Sequence, residues 1–131
     1  MKKIAICTLL IFCILFSACK KQEKESEEMT YQMITMSEAK ELFETEGDYI
    51  ILDVRRADEF ESGHIPNAIN VPNEIIGNGD IAELPDKEQL IYVYCRSGRR
   101  SKEAASKLVE MGYGNIVEFG GIIDWEGEIE K

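Results

Sequence analysis

The chain is poor in the residues that build metal sites, disulfide staples and nucleotide loops. Its 131 residues include one histidine (His64), one tryptophan (Trp125) and three prolines. Of the four cysteines, Cys7, Cys13 and Cys19 lie in or at the edge of an N-terminal apolar run, so the body keeps only Cys95. One thiol makes no internal disulfide, which excludes a stapled framework. One histidine and one body cysteine do not make a metal-ligand set. No glycine-rich phosphate loop follows a strand-like run, so no cofactor is implied. Cations are scarce too: 15 Lys and Arg stand against 25 Asp and Glu, for a net charge of −10. Nucleic acid repels a body of that sign, which argues against a polyanion partner. There is no internal repeat, and the length suits a single domain.

What is present begins with an address. Lys2 and Lys3 precede residues 4–16, which are apolar except for Thr8, and Ser17-Ala18 place small side chains before Cys19. The run falls short of the roughly 20 apolar residues a membrane helix needs and reads as a secretory leader. Leu15-Phe16-Ser17-Ala18-Cys19 resembles the lipobox of bacterial lipoproteins, whose cysteine is acylated and becomes the new N-terminus. Phe16 departs from that pattern, which more often has a small aliphatic residue there. The resemblance implies a leader over residues 1–18, a lipidated Cys19 with a charged tether over 19–30, and a domain over 31–131. That domain would sit in the cell envelope, anchored on the extracytoplasmic side of a bacterial membrane. Loss of Lys2 and Lys3 with the leader takes the net charge from −10 to −12.

The body alternates strand-like and helix-like stretches, as an α/β fold with a largely parallel sheet does. Residues 31–34 read as a short opening strand, and Thr35 with Glu38 forms a capping-box pattern. Ala39, Leu42 and Phe43 recur at helical spacing, with Gly47 as the stop. Residues 49–54 are a continuous buried-strand run, followed by a helical turn over 57–61 and a brief strand over 68–71. Residues 90–94 are a second buried strand, with Cys95 at its C-terminal end. A loop over 96–100, a helix over 101–111 stopped by Gly112, and a last strand over 115–119 follow.

Cys95 has the surroundings of a reactive sulfur. The C-terminal end of a buried strand is where open α/β sheets place their sites. The loop behind it leads into a helix N-terminus, whose unpaired amides favour an anion. Gly98 lets successive N–H groups turn toward one centre, and Arg96, Arg99 and Arg100 crowd beside the sulfur. These features favour a thiolate or a persulfide, and the thiolate is the nucleophile. A small buried cysteine next to a solvated basic turn is the bland alternative, and three arginines on so acidic a body speak against it.

The chain resembles the rhodanese homology domain over residues 31–127. The residues carrying the likeness are Leu52-Asp53-Val54-Arg55, Glu59-Phe60, and the run Gly63-His64-Ile65-Pro66-Asn67-Ala68-Ile69-Asn70-Val71-Pro72. Cys95-Arg96-Ser97-Gly98-Arg99-Arg100-Ser101, then Gly120-Gly121 with Trp125, complete it. The resemblance implies a rhodanese-like three-layer α/β/α fold with a five-stranded, mainly parallel sheet. It implies a sulfurtransferase in which Cys95 takes the outer sulfur of a small donor such as thiosulfate and passes it to a thiol or cyanide-like acceptor. Amides over Arg96, Ser97, Gly98, Arg99, Arg100 and Ser101 would cradle that sulfur, and the arginines would attract the donor. Asp53 and Arg55 would support the loop, while His64 would be structural. A monomer is the default state.

Two other functions compete. A cysteine phosphatase or arsenate reductase wants five residues between its cysteine and arginine, and Arg100 follows Cys95 after four. A phosphatase also wants a histidine before the cysteine, where Tyr94 stands. A non-catalytic binding module would be expected to have lost the cysteine, which this chain keeps.

Overall fold

Continuous apolar runs make the two central strands. Ile50–Asp53 (β2) and Ile91–Cys95 (β4) have neighbours on both sides and bury side chains on both faces, so they need no polar alternation. The computed structural model describes residues 30–45 and 47–131; the leader, Cys19 and the tether through residue 29 lie outside them. Gln32–Met33 (β1), Ile69–Asn70 (β3) and Ile116–Gly121 (β5) complete a five-stranded sheet in the order β1-β5-β4-β2-β3. Every pairing is parallel. The α/β class and strand number expected from the sequence are those observed.

Strand alternation sorts side chains to two helical layers. Leu52, Ile91, Val93, Cys95 and Ile116 share a core with Ala104, Ala105, Leu108 and Val109 of the helix Arg99–Glu110 (α3). Ile51, Tyr92, Tyr94, Val117 and Phe119 share the other with Met36 and Ala39 of Met36–Phe43 (α1) and with Phe60 of Ala57–Ser62 (α2). The parity that buries Tyr94 against α1 therefore turns Cys95 toward α3.

The capping box forms as expected: Glu38 N–H donates to Thr35 Oγ1 at 3.1 Å, and Thr35 N–H donates to the Glu38 carboxylate at 2.8 Å. The helix ends at Phe43, however, well short of Gly47. Amides of Glu44 and Thr45 close the last turn on Glu41 and Leu42 carbonyls, and Tyr49 then stacks on Phe43 with ring centroids 5.1 Å apart. Gly112, at φ +95°, does end α3 in the left-handed conformation anticipated for it.

Two boundaries near Cys95 differ from expectation. The helix α3 begins at Arg99, two residues before Ser101, because Gly98 at φ +99° turns the chain straight into it. The strand β5 runs through Gly121, and its pairing with β4 slips by one residue: Val93 lies opposite Glu118, but Cys95 lies opposite Gly121. Gly120, at φ +97°, absorbs the extra residue.

Candidate active site

Cys95 ends β4 with its side chain 1% exposed, under the first turn of α3. Arg96, Ser97 and Gly98 make the whole loop, so Arg99, Arg100 and Ser101 belong to the helix and not to the loop. Gly98 N–H donates to Cys95 Sγ at 3.0 Å, and the thiol in turn donates to Ser101 Oγ at 3.4 Å. The sulfur thus sits where a 12-residue helix presents its positive end. One backbone donor, Gly98 N–H, is aimed at it, as an anionic sulfur requires.

Close packing fixes the loop from below. A Cβ on Gly121 would lie 2.2 Å from the Arg96 carbonyl oxygen, so the loop rests directly on the end of β5. That carbonyl also accepts from Ile123 N–H at 3.2 Å. The Gly120-Gly121 pair is therefore the seat of the cysteine loop as well as a turn.

Beside the loop lies an open cleft of about 460 Å³ lined by Arg56, Glu59, Glu74, Arg96, Ser97, Arg99 and Arg100. Its arginines do not play equal parts. Arg100 grips Glu59 at two points, 2.7 and 3.0 Å, tying α3 to α2. That charge-assisted contact holds the Glu59 carboxyl down at about 2. Arg99 is 79% exposed, with Glu103 3.8 Å away. Arg96 is exposed as well and lines the cleft from within the loop. Arg96 and Arg99 are thus placed to meet an anion entering the cleft, while Arg100 is committed to the scaffold.

Asp53 and Arg55 form a buried pair at the end of β2. Arg55 Nη2 donates to Asp53 Oδ2 at 2.7 Å and to the Gly63 carbonyl at 2.7 Å. Asp53 spends its oxygens on Arg55, the supporting residue named beside it in the sequence. The pair ties the end of β2 to the turn at Gly63. Burial, with Asp53 adding to it, pushes the nearby Tyr94 hydroxyl well above its usual range. His64 stacks on Phe60 at 3.8 Å, and its Nδ1 lies 3.0 Å from the Phe60 carbonyl oxygen, in keeping with a structural histidine.

Sequence reading missed Glu118. It is 2% exposed in β5, on the same side of the sheet as Cys95, and Ser101 Oγ donates to its Oε1 at 2.5 Å. An acid flanked by Val117 and Phe119 reads as one polar step in a strand, and only the pleat shows that it faces inward. Glu59, Arg56 and Glu74 were missed as cleft residues because segments remote in sequence bring them together.

Known proteins give this geometry a lineage. The chain is 40% identical over 90 residues to the adenylyltransferase and sulfurtransferase UBA4 of Candida albicans, covering 63% of this chain and 20% of that protein. It therefore spans about a fifth of that relative's length. A sulfurtransferase of Allochromatium vinosum is 36% identical over 98 residues, covering 74% of this chain and 89% of that one. The crystal structure of a rhodanese-like domain protein from Staphylococcus aureus superposes with a TM-score of 0.66 at 30% identity, over 76% of this chain and 96% of that one. Chains made up almost wholly of this unit thus exist, and the unit folds on its own. The profile of the Rhodanese-like domain matches residues 35–128, from the Thr35 cap through the cysteine loop and beyond Trp125. With its cysteine at the end of β4 and its sheet in this order, the chain belongs to the rhodanese-like domain family.

Proposed function

We propose that the chain is a sulfurtransferase carrying a sulfane sulfur on Cys95. The observation that carries this reading is the Cys95 sulfur itself, buried at the helix N-terminus with Gly98 N–H at 3.0 Å and an arginine-lined cleft beside it. In the first half-reaction the Cys95 thiolate attacks the outer sulfur of thiosulfate. A Cys–S bond forms, the donor S–S bond breaks, and sulfite leaves with the electron pair. The new persulfide takes the place of the thiolate under the α3 amides, where a negative sulfur is favoured. In the second half-reaction a thiol or cyanide attacks the terminal sulfur, and Cys95 leaves as thiolate. Arg96 and Arg99 draw the anionic donor into the cleft. Relatives named as sulfurtransferases support the reaction class.

Intact mass of residues 30–131 after thiosulfate treatment tests the reading, because Cys95 is their one cysteine. The expected result is a gain of one sulfur atom, removed by cyanide and absent in Cys95→Ser. No adduct on the folded, reduced protein would reject thiosulfate as donor.

The leader supports a second part of the reading: the mature chain begins at an acylated Cys19 and works outside the cytoplasmic membrane. Two or more acyl chains, at about 0.8 kcal/mol per buried methylene, anchor a protein stably. Expression of the full chain with a labelled fatty acid should give a labelled membrane-bound product, and Cys19→Ala a soluble or uncleaved one.

A further inference from the structure

Deprotonating Cys95 requires that a proton go somewhere, and the residue is only 1% exposed. Its hydrogen-bonding chain runs inward. The thiol donates to Ser101 Oγ at 3.4 Å, and Ser101 Oγ has three acceptors in reach: Glu118 Oε1 at 2.5 Å, the Gly98 carbonyl at 3.0 Å and the Gly120 carbonyl at 3.4 Å. The hydroxyl has one proton, and the shortest contact has the length of a charge-assisted bond to a carboxylate. Gly120 N–H donates to the same oxygen at 2.9 Å. None of the ion pairs among the described residues involves Glu118, although it is 2% exposed. A buried acid without a cation costs several kcal/mol by itself, which points to a task beyond packing.

Resting on the Cys95 reading, we propose that Glu118 is a positioning residue that takes up the Cys95 proton through Ser101. The S–H proton passes to Ser101 Oγ as the hydroxyl proton passes to Glu118 Oε1. The products are a thiolate that accepts from Ser101 O–H and a neutral Glu118. The buried cluster carries one negative charge before and after, so no second charge is forced into the core. When the acceptor releases Cys95 as thiolate, the same path returns the proton. The other charged groups around the sulfur are accounted for. Arg100 is held by Glu59 on the α3 side, Asp53 at the end of β2 is held by Arg55, and Arg96 projects from the loop into solvent.

The sign of one substitution separates this from a passive role. A fixed negative charge beside the sulfur disfavours the thiolate, so its removal would speed Cys95; removal of a proton acceptor slows it. The measurement is the rate at which iodoacetamide alkylates residues 30–131, which needs no sulfur donor, followed from about pH 5 to pH 7. In the unaltered protein thiol and carboxyl share one proton, and the rate is flat over this range. In Glu118→Gln, which keeps the shape and the oxygen facing Gly120 N–H, the rate climbs about tenfold per pH unit and falls roughly 100-fold below the unaltered protein at the acid end. Ser101→Ala behaves the same way, and Ser101→Thr, which keeps a hydroxyl, restores the flat profile. Equal or faster alkylation of a folded Glu118→Gln overturns the proposal. So does a tenfold-per-unit slope in the unaltered protein, which needs no variant to fold. A flat profile without sulfur loading from thiosulfate would leave the proton path standing and reject the donor.

Discussion

Arg100 and Glu59 meet fork to fork, with Nη1–Oε2 at 2.7 Å and Nη2–Oε1 at 3.0 Å, and so lock the helix behind the cysteine to the helix after β2. Geometry of this kind adds direction as well as attraction. Arg100→Lys, which keeps the charge and loses the fork, should cost about 1–2 kcal/mol of stability, and Arg100→Ala about 2–3. Urea denaturation at neutral pH measures both.

The same pair sets an acid limit. Glu59 has its carboxyl pulled from 4.5 down to about 2 by Arg100, so the folded state prefers the ionised form. The stability this gives is complete above about pH 4.5 and drains away as pH falls toward 2. Unfolding curves should therefore weaken across that window in the unaltered domain and less so in Glu59→Gln. Equal acid sensitivity in both would remove the pair from the account.

Donor capture should separate the arginines. Arg96→Ala should raise KM for thiosulfate about tenfold with a smaller change in kcat, and Arg99→Ala should do so more weakly, given its exposure. Both losses should shrink at high salt, since exposed charges are screened over about 8–10 Å. Arg100→Ala should lower kcat and stability together. Steady-state kinetics at two ionic strengths distinguishes these patterns.

Tyr94 offers a test of the core apart from the sulfur. Its hydroxyl accepts from Ile65 N–H at 3.1 Å within a buried setting. Tyr94→Phe leaves that amide unpaired and should cost about 1–3 kcal/mol, while sulfur loading of the folded protein is kept. Thermal unfolding beside the intact-mass assay would show whether stability and chemistry separate in this way.

The sheet was legible because its central strands announce themselves. Residues 49–52 and 90–94 are apolar without interruption, and only burial on both faces asks for that. The Thr35 cap and the Gly112 stop were legible because each depends on residues within one turn. The start of α3 was not: a glycine followed by two arginines reads equally as loop or helix, and the φ of Gly98 decides between them. Asp53 and Arg55 were read together as supporting residues, and they pair with each other while Arg55 reaches the Gly63 carbonyl. Glu118 was hidden for a different reason. Its meaning depends on Ser101, 17 residues away on another element, and on a register that no local pattern encodes.

Gly121 lies so close to the Arg96 carbonyl that a single methyl group has no room there. The cysteine loop is thus shaped from beneath by excluded volume and not by attraction. Repulsion between atomic cores is indifferent to ionic strength and acidity, whereas the arginine contacts above are sensitive to both. The mould that shapes the loop and the field proposed to recruit a donor can therefore fail separately. On the sulfurtransferase reading proposed above, brine would starve the site of its donor while the loop kept its form.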